Sequence, residues 1–233
     1  MFDCLIPFYN EDATRLQLII STLSPIRSVG QIICIDDGST NDTEKQIRHI
    51  FRNNKKVLIT RYAHNAGKSE AIRKGLTHVA SDAILTLDAD MFNIQPSEIV
   101  SAYEEFQKYS YDLLILQLIE EPKQARHFRG DILLSGQRFI KTAILVDVFH
   151  RMHPHGFALE MAMNLYTMRH SCRYGLMPFS AHNIQPFDKL GVVRGIQKEM
   201  RQLWDIFSSV GLLGFLNVYL TFGKEKKYYT IGK

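Results

Sequence analysis

The stretch Gln31-Ile32-Ile33-Cys34-Ile35-Asp36-Asp37-Gly38-Ser39-Thr40-Asn41-Asp42-Thr43 decides the fold class of this chain. Its apolar first part predicts a buried strand, and its polar second part predicts a turn that leads into a helix. The same order recurs on both sides, with apolar strands predicted at 2–7, 57–61, 83–87 and 113–118. Such alternation is typical of βαβ units, so we expect an α/β protein with a mostly parallel central sheet flanked by helices.

The composition is that of an ordinary globular protein. The 233 residues are 45% hydrophobic and 22% charged, and a chain of this length buries a core without disulfides. The three scattered cysteines, Cys4, Cys34 and Cys172, form no CxxC pair, which predicts a reducing, cytoplasmic compartment. The first residues lack a basic segment followed by a long apolar run, so we expect no signal peptide. A net charge of +4 without a dense basic stripe argues against nucleic acid as a partner.

The second half of the chain is less regular. Its pattern predicts helices at 137–149 and 157–170 and a strand at 173–178. We expect a single domain over residues 1–195, followed by a C-terminal helical extension over residues 196–233.

The extension contains a mostly apolar stretch at 203–222. Basic residues lie on both sides of it in the sequence, at Lys198 and Arg201 before it and at Lys224, Lys226 and Lys227 after it. Two hypotheses stand level: a helix lying in a membrane interface, and a helix packed on the core or on a second subunit. A membrane span ranks third, because polar residues interrupt the stretch and positive charge on both sides gives no orientation.

Polar residues follow the first two predicted strands, where open α/β sheets bind ligands. Pro7, Tyr9 and Glu11 follow the first strand, where Tyr9 offers a ring for stacking on a base or ribose. Glu11 either accepts a hydrogen bond from a ribose hydroxyl or caps the next helix. Asp36 and Asp37 follow the second strand, and adjacent carboxylates there are costly unless they bind hydrogen-bond donors such as a base or ribose.

Two further clusters predict a diphosphate and metal site. Asn65-Ala66-Gly67-Lys68-Ser69 opens a helix, and Lys68 there is either a diphosphate or ribose contact or a solvated lysine. Asp88-Ala89-Asp90 follows an apolar strand, with carboxylates at i and i+2. Mg²⁺ or Mn²⁺ takes a few such carboxylates together with phosphate oxygens, and the ion neutralises charge on a diphosphate leaving group.

Together these clusters resemble the family 2 glycosyltransferases of the GT-A fold. Those enzymes carry IPxYNE, DDGSxDxT, NxGKxxAxxxG and DAD motifs in this order, matched here at residues 6–11, 36–43, 65–75 and 88–90. The resemblance implies a Rossmann-like GT-A domain and an inverting, metal-dependent transfer from a nucleoside-diphosphate sugar. The implied donor-binding residues are Pro7, Tyr9, Glu11, Asp36, Asp37, Lys68, Asp88 and Ala89, and the implied metal ligands are Asp88 and the catalytic Asp90.

Ser135-Gly136-Gln137-Arg138 resembles the SGxR segment of the dolichol- or polyprenyl-phosphate sugar synthases within that family. The resemblance implies a polyprenyl phosphate acceptor, with Arg138 as a catalytic residue. Arg126, Arg129 and Arg138 would then clamp the acceptor phosphate, because guanidinium groups fit phosphate oxygens.

Phe92 departs from that group, whose members often carry Gln two residues after the DAD motif. The third metal ligand is therefore sought elsewhere, and His182 is the candidate. The alternative for His182 is a structural histidine.

Glu160 leaves two acceptor classes open. An alcohol acceptor, such as a soluble compound or a glycan hydroxyl, needs a general base, and Glu160 is the candidate. A phosphate acceptor is already ionised and needs no base. We expect an enzyme at the cytoplasmic face of a membrane; the alternative from another class is an inactive nucleotide-sugar-binding protein.

Overall fold

The computed structural model describes residues 1–119, 130–183 and 186–223. Its strands follow the predicted alternation closely in the first half of the chain. They are β1 Phe2–Phe8, β2 Val29–Asp36, β3 Val57–Arg61, β4 Ala83–Thr86, β5 Met91–Phe92, β6 Leu113–Leu118, β7 Arg138–Lys141, β8 Tyr174–Phe179 and β9 His182–Asn183.

The helices lie between these strands and at the carboxyl end of the described chain. Two of them begin at residues that favour a helix start. Asp12 caps the first helix, where its side chain accepts from Arg15 N at 2.9 Å, and Pro96 lies in the first turn of the helix that it begins. They are α1 Ala13–Leu23, α2 Thr43–Ile50, α3 Lys68–Gly75, α4 Pro96–Lys108, α5 Gly130–Leu133, α6 Thr142–Met152, α7 Leu159–Arg169 and α8 Pro186–Thr221. A short 3₁₀ turn, Leu76–His78, extends α3.

A seven-stranded sheet with the order β3-β2-β1-β4-β7-β6-β8 forms the centre of the molecule. The pairs β3–β2, β2–β1, β1–β4 and β6–β8 are parallel, whereas β7 is antiparallel to both of its neighbours. The expected mostly parallel sheet flanked by helices is confirmed. A second sheet, β5–β9, contains two strands.

Each face of the large sheet buries its own apolar layer, since successive side chains of a strand point to opposite faces. One layer receives α1 and α4, through residues such as Leu16 and Phe106. The other receives α3, α6, α7 and α8, through residues such as Ile72, Leu145 and Ile206. The sheet therefore separates α8 from α1 and α4 and puts α8 beside α7.

The predicted helix at 137–149 is wrong in its first part. Residues Arg138–Lys141 form strand β7, and the helix begins only at Thr142. Phe139 and Ile140 are buried on opposite faces of the sheet, between β4 and β6. A short apolar run has no clear period, so long-range pairing determined its conformation.

The apolar stretch at 203–222 belongs to α8, and the expected domain boundary at 195 falls inside this helix. Ile206, Val210, Val218 and the adjoining Phe222 are buried against the domain. The opposite side is apolar and exposed, at Trp204, Leu212, Leu213, Leu216 and Leu220. Within the described residues, Leu203–Thr221 is the helical stretch long and apolar enough to cross a bilayer by length and composition.

Candidate active site

The predicted site residues lie where the parallel strands β1, β2 and β4 end. Asp36 is the last residue of β2, and Asp88 follows β4 by two residues. Because β1 pairs with both β2 and β4 in parallel, their carboxyl ends share one edge of the sheet. The loops that carry the predicted motifs therefore meet there.

The loops after β1 and β2 are hydrogen-bonded to each other through Asn10. Its side-chain oxygen accepts from Thr40 N at 2.7 Å, and its backbone N–H donates to Ser39 Oγ at 2.9 Å. Asn10 has a positive φ of 52°, which asparagine tolerates better than most residues. The sequence motif contains Asn10, but the prediction assigned it no part in joining the two loops.

The predicted nucleoside contacts differ in exposure. Tyr9 is 44% exposed at the edge of the site, and Glu11 forms an ion pair with Arg15 at 3.3 Å. Pro7 lies within β1 opposite Ile35, one residue before the strand ends. Asp36 is buried and accepts from Ser39 N at 2.8 Å.

Asp37 holds the turn that opens α3. Its two carboxylate oxygens accept from Ala66 N at 3.0 Å and Gly67 N at 2.7 Å. Burial raises the pKa of the Asp37 carboxyl, although both backbone donors act to lower it. Gly67 has a φ of +91°, a conformation that favours glycine. The carboxylate therefore fixes the segment that carries Lys68.

Lys68 joins two acidic residues from different parts of the chain. Its Nζ lies 2.5 Å from Asp88 Oδ1 and 2.6 Å from Glu160 Oε1. Burial acts to lower the pKa of Lys68, but the two carboxylates outweigh it and raise the pKa above the ordinary range of lysine. Asp37 and Asp88 thus both contact the segment 66–68, Asp37 through its backbone and Asp88 through the Lys68 side chain.

The SGxR segment forms the floor beneath Asp88. Gln137 Nε2 donates to Asp88 Oδ2 at 2.9 Å, and Thr86 Oγ1 donates to the Gly136 carbonyl at 2.7 Å. A Cβ atom on Gly136 would lie 2.5 Å from Lys68 Nζ, so a larger residue would displace the lysine. Gln137 was missed as a site residue, because only the fold brings it to Asp88.

Arg138 does not present its guanidinium to an acceptor, contrary to the prediction of a phosphate clamp. It is fully buried, and its donors contact five protein oxygens at 2.5–3.3 Å. Four are backbone carbonyls and the fifth is Asn164 Oδ1. Burial lowers the pKa of Arg138 to about 10, although Glu160 and Asp88 act to raise it. Arg138 lies below the site, where it joins α5, α7 and β7. The other predicted clamp residues, Arg126 and Arg129, lie outside the described residues.

His182 lies close to the DAD segment through the small sheet. It pairs with Phe92 across β5–β9, and the two rings stack with centroids 5.8 Å apart. The Arg15 guanidinium lies 4.5 Å from the centre of the Phe92 ring. Phe92 therefore occupies the space between Arg15 and His182, at the position where a glutamine was expected by resemblance.

The carboxylates of Asp88 and Asp90 follow β4 and are both partly buried. Among the residues that the structure describes, no group of three or more His, Cys, Asp or Glu side chains is arranged to hold a metal ion. Two carboxylates without a third protein ligand still fit Mg²⁺, which commonly binds one or two carboxylates and completes its shell with water and phosphate oxygens. The predicted three-residue set with His182 is not assembled in this arrangement.

An open α/β sheet with paired loops and an acidic motif at its strand ends is the architecture of the GT-A glycosyltransferases. A sequence profile described as "Glycosyl transferase family 2" matches residues 3–165, and the chain belongs to that family. The predicted family and fold class are confirmed.

Curated relatives match part of the chain. An undecaprenyl-phosphate 4-deoxy-4-formamido-L-arabinose transferase of Edwardsiella ictaluri is 30% identical over 129 residues, 54% of this chain and 38% of that protein. The protein CsbB of Bacillus subtilis is 31% identical over 160 residues, 64% of this chain and 45% of that protein. The chain thus spans less than half the length of these relatives.

Solved structures share the fold. Glucosyl-3-phosphoglycerate synthase of Mycobacterium tuberculosis, in complex with Mn²⁺, uridine diphosphate and phosphoglyceric acid, has a TM-score of 0.68 at 18% identity. The similarity covers 90% of this chain and 78% of that one. TarS 1–349 of S. aureus has a TM-score of 0.62 at 17% identity, over 97% of this chain and 73% of that one.

Proposed function

We propose that this chain transfers a sugar from a nucleoside-diphosphate sugar to a polyprenyl phosphate, with inversion at the anomeric carbon. The observation that carries the proposal is the contact of Lys68 with two carboxylates, because its Nζ lies 2.5 Å from Asp88 Oδ1 and 2.6 Å from Glu160 Oε1. Family 2 membership and the names of the undecaprenyl-phosphate relatives support the reaction and the acceptor class.

The donor occupies the edge formed by the loops after β1 and β2 and by the amino end of α3. Tyr9 and Glu11 contact the base and ribose. Asp36 and Asp37 either contact the nucleoside or hold the protein loops that surround it. Lys68 supplies positive charge to the diphosphate, and the amino end of α3 adds the partial positive charge of its N–H groups. The Ala89 side chain is buried in the apolar layer, so a donor contact at this position would use its backbone.

Asp88 and Asp90 would hold a divalent ion, Mg²⁺ or Mn²⁺, which would supply positive charge to the leaving diphosphate. Lys68 contacts Asp88, so the lysine would leave this carboxylate to contact the phosphates of a donor.

In the transfer step, an acceptor oxygen forms a bond to the anomeric carbon while the bond from that carbon to the diphosphate breaks. The electron pair leaves with the nucleoside diphosphate, where Lys68 stabilises the added charge. A phosphate acceptor enters already ionised and loses no proton. Arg126 and Arg129 remain the proposed contacts for that phosphate.

A soluble or glycan hydroxyl acceptor is the second candidate. It is favoured by Glu160, a buried carboxylate that lies within the same cluster. Glu160 would take the proton of the hydroxyl, a role that contributes about 10²–10⁴-fold in rate. The structure of a synthase with phosphoglyceric acid bound shows that a protein of this fold accommodates such a molecule.

The experiment combines a donor panel with two acceptors. Purified protein with Mn²⁺ is given radiolabelled UDP- and GDP-sugars, with undecaprenyl phosphate or 3-phosphoglycerate as acceptor. We expect transfer to the lipid phosphate, and a loss of less than about tenfold in kcat for Glu160→Gln, because no base is needed. A loss of at least about 100-fold in that variant, with transfer to a hydroxyl, would support the second candidate. Donor binding without turnover on any acceptor would support an inactive nucleotide-sugar-binding protein.

We also propose that α8 lies on the cytoplasmic face of a membrane. Its exposed apolar residues face away from the core, and three lysines follow the helix in the sequence at Lys224, Lys226 and Lys227. Such a combination suits the surface of an anionic bilayer. Packing of the opposite side on the domain, and the left-handed φ of +71° at Gly211, favour a helix on the surface over one that spans.

A further inference from the structure

The loop 153–158 between α6 and α7 is joined to α8 by several hydrogen bonds. The two ring nitrogens of His155 bond to Ser208 Oγ and Ser209 Oγ, each at 2.9 Å. The backbone N–H of Phe157 donates to Asp205 Oδ2 at 3.2 Å. All three partners lie within little more than one turn of α8, so the loop and this turn are held together.

Asp205 is an acidic residue in an unusual place. It is buried, although Leu203 and Trp204 beside it in the sequence are exposed. A Cβ atom on Gly156 would collide with the Asp205 carboxylate, and Gly156 has a left-handed φ of +54°. Glycine at 156 therefore permits a close approach between the loop and the carboxylate, which a larger residue would prevent.

The other side of the same loop contacts the amino end of α3. The carbonyl of Gly156 accepts from Ser69 N at 3.0 Å and from Ser69 Oγ at 2.9 Å. A Cβ atom on Gly67 would lie 3.2 Å from Gly156 Cα, so the two glycines approach closely. Gly67 and Ser69 flank Lys68 in the chain, and the loop therefore fixes the backbone on both sides of the lysine.

The loop also leads directly into α7, whose second residue is Glu160. One short segment thus determines the position of both partners of the Lys68–Glu160 ion pair. It reaches Lys68 through Ser69 and Gly67, and it carries Glu160 by chain continuity. α8 is attached to this segment at Asp205.

We infer that Asp205 is a positioning residue, which acts from α8 through the loop 153–158 to hold Lys68 between Asp88 and Glu160. Helix α8 then helps to position Lys68 in the active site. This inference rests on the proposed function only for its effect on turnover. The mechanical link itself is measurable without any substrate.

The test measures amide hydrogen exchange by NMR in the full chain and in three variants. In Asp205→Ala, we expect exchange at Ser69 and Phe157 to rise at least about tenfold, because the contact that holds the loop is lost. Asp205→Asn retains an oxygen that accepts from Phe157, so its exchange should stay within about threefold of the parent. Asn217→Ala, an exposed change on the same helix, is the matched control and should leave both amides unchanged.

Turnover supplies the second measurement. Asp205→Ala should lower kcat by about tenfold or more while Asp205→Asn restores most of it, a split that general destabilisation would not produce. If Asp205→Ala does not fold, two milder variants replace it. Ser69→Ala removes the side-chain hydrogen bond to Gly156, and His155→Ala removes the hydrogen bonds to Ser208 and Ser209. Unchanged exchange at Ser69 in the folded Asp205→Ala variant would overturn the inference. If exchange at Ser69 rises in Asp205→Ala but the parent shows no transferase activity, the link between Asp205 and the loop would stand and the proposed function would not.

Discussion

The ammonium nitrogen of Lys68 lies 2.5 Å from a carboxylate oxygen of Asp88, the first acid of the DAD motif. The same nitrogen contacts Glu160, so one lysine pairs with a proposed metal ligand and with a proposed base. Its single positive charge offsets one of the two negative charges. The proposed metal ion and Lys68 would both contact the Asp88 carboxylate, and both would contact the phosphates of the donor. Their effects must therefore be tested together.

Alkaline pH should reveal the contribution of this pair to folding. The folded pKa of Lys68 is raised, so its stabilising effect is fully present below the ordinary lysine value of about 10.4. The effect is lost as pH rises through the higher folded value. With chelator present, Lys68→Met should have a lower free energy of unfolding than the parent at pH 7. Loss of a buried ion pair costs up to about 3–5 kcal/mol, and the partial exposure of Lys68 makes the expected loss smaller than that.

Urea unfolding at several pH values between 7 and 12 measures the difference between parent and variant. That difference should shrink as pH rises above about 10.5, because Lys68 then loses its proton in the unfolded parent while the folded parent still holds it. Lys45→Met, which breaks an exposed pair with Asp42, is the control, and its difference should show no such pH dependence. A constant difference for Lys68→Met across the alkaline range would contradict the assigned pair.

Arg138 should behave as a structural residue. Lysine offers three donors without a planar arrangement, so Arg138→Lys leaves buried carbonyls unpaired. We expect a loss of roughly 3–5 kcal/mol in the free energy of unfolding, measured in urea. At a temperature where the variant is folded, the KM for a phosphate acceptor should stay within about twofold. A stable variant with a strongly raised acceptor KM would instead restore the phosphate clamp.

The sequence predicted the first half of the fold well, because its elements have strong local patterns. The strands at 57–61 and 113–118 were placed with the observed bounds, and the DAD motif indeed follows β4. β7 was missed because its neighbours in the sheet, not its own period, determine its structure. The pairing of Phe92 with His182 was also not visible, since each strand of that sheet has only two residues.

The site was predictable in its residue types and less so in their roles. Asp37, Lys68, Asp88 and Glu160 were all selected, but the ion pair between Lys68 and Glu160 depends on a contact distant in sequence. Arg138 was misassigned because four of its five partners are backbone carbonyls, which no side-chain motif records. Gln137 was overlooked for a related reason, because its contact with Asp88 arises from the strand pairing of β7 with β4.

Phe92 should limit metal affinity. In Phe92→Gln, an amide oxygen enters the position two residues after Asp90, which adds a hard ligand near the carboxylates. We expect Mn²⁺ to bind about tenfold more tightly in titration calorimetry, equivalent to about 1.4 kcal/mol. Phe92→Leu is the matched control, since it removes the same contacts with Arg15 and His182 but supplies no oxygen. Equal Mn²⁺ affinities for Gln and Leu at this position would show that residue 92 supplies no metal ligand.

Trp204 should report membrane contact directly, because it is the single tryptophan of the chain and is 73% exposed. Phosphatidylglycerol vesicles should shift its emission to shorter wavelength, whereas neutral phosphatidylcholine vesicles should act more weakly, since anionic lipid attracts the lysines that follow α8 in the sequence. Leu213→Asp should weaken partitioning by at least about tenfold, because burial of a leucine contributes about 1.5–3 kcal/mol. Leu18→Asp on α1 is the control, as Leu18 is also exposed but lies on another side of the domain. A shift that depends on protein concentration and needs no vesicles would instead identify this side of α8 as a contact between two copies of the chain.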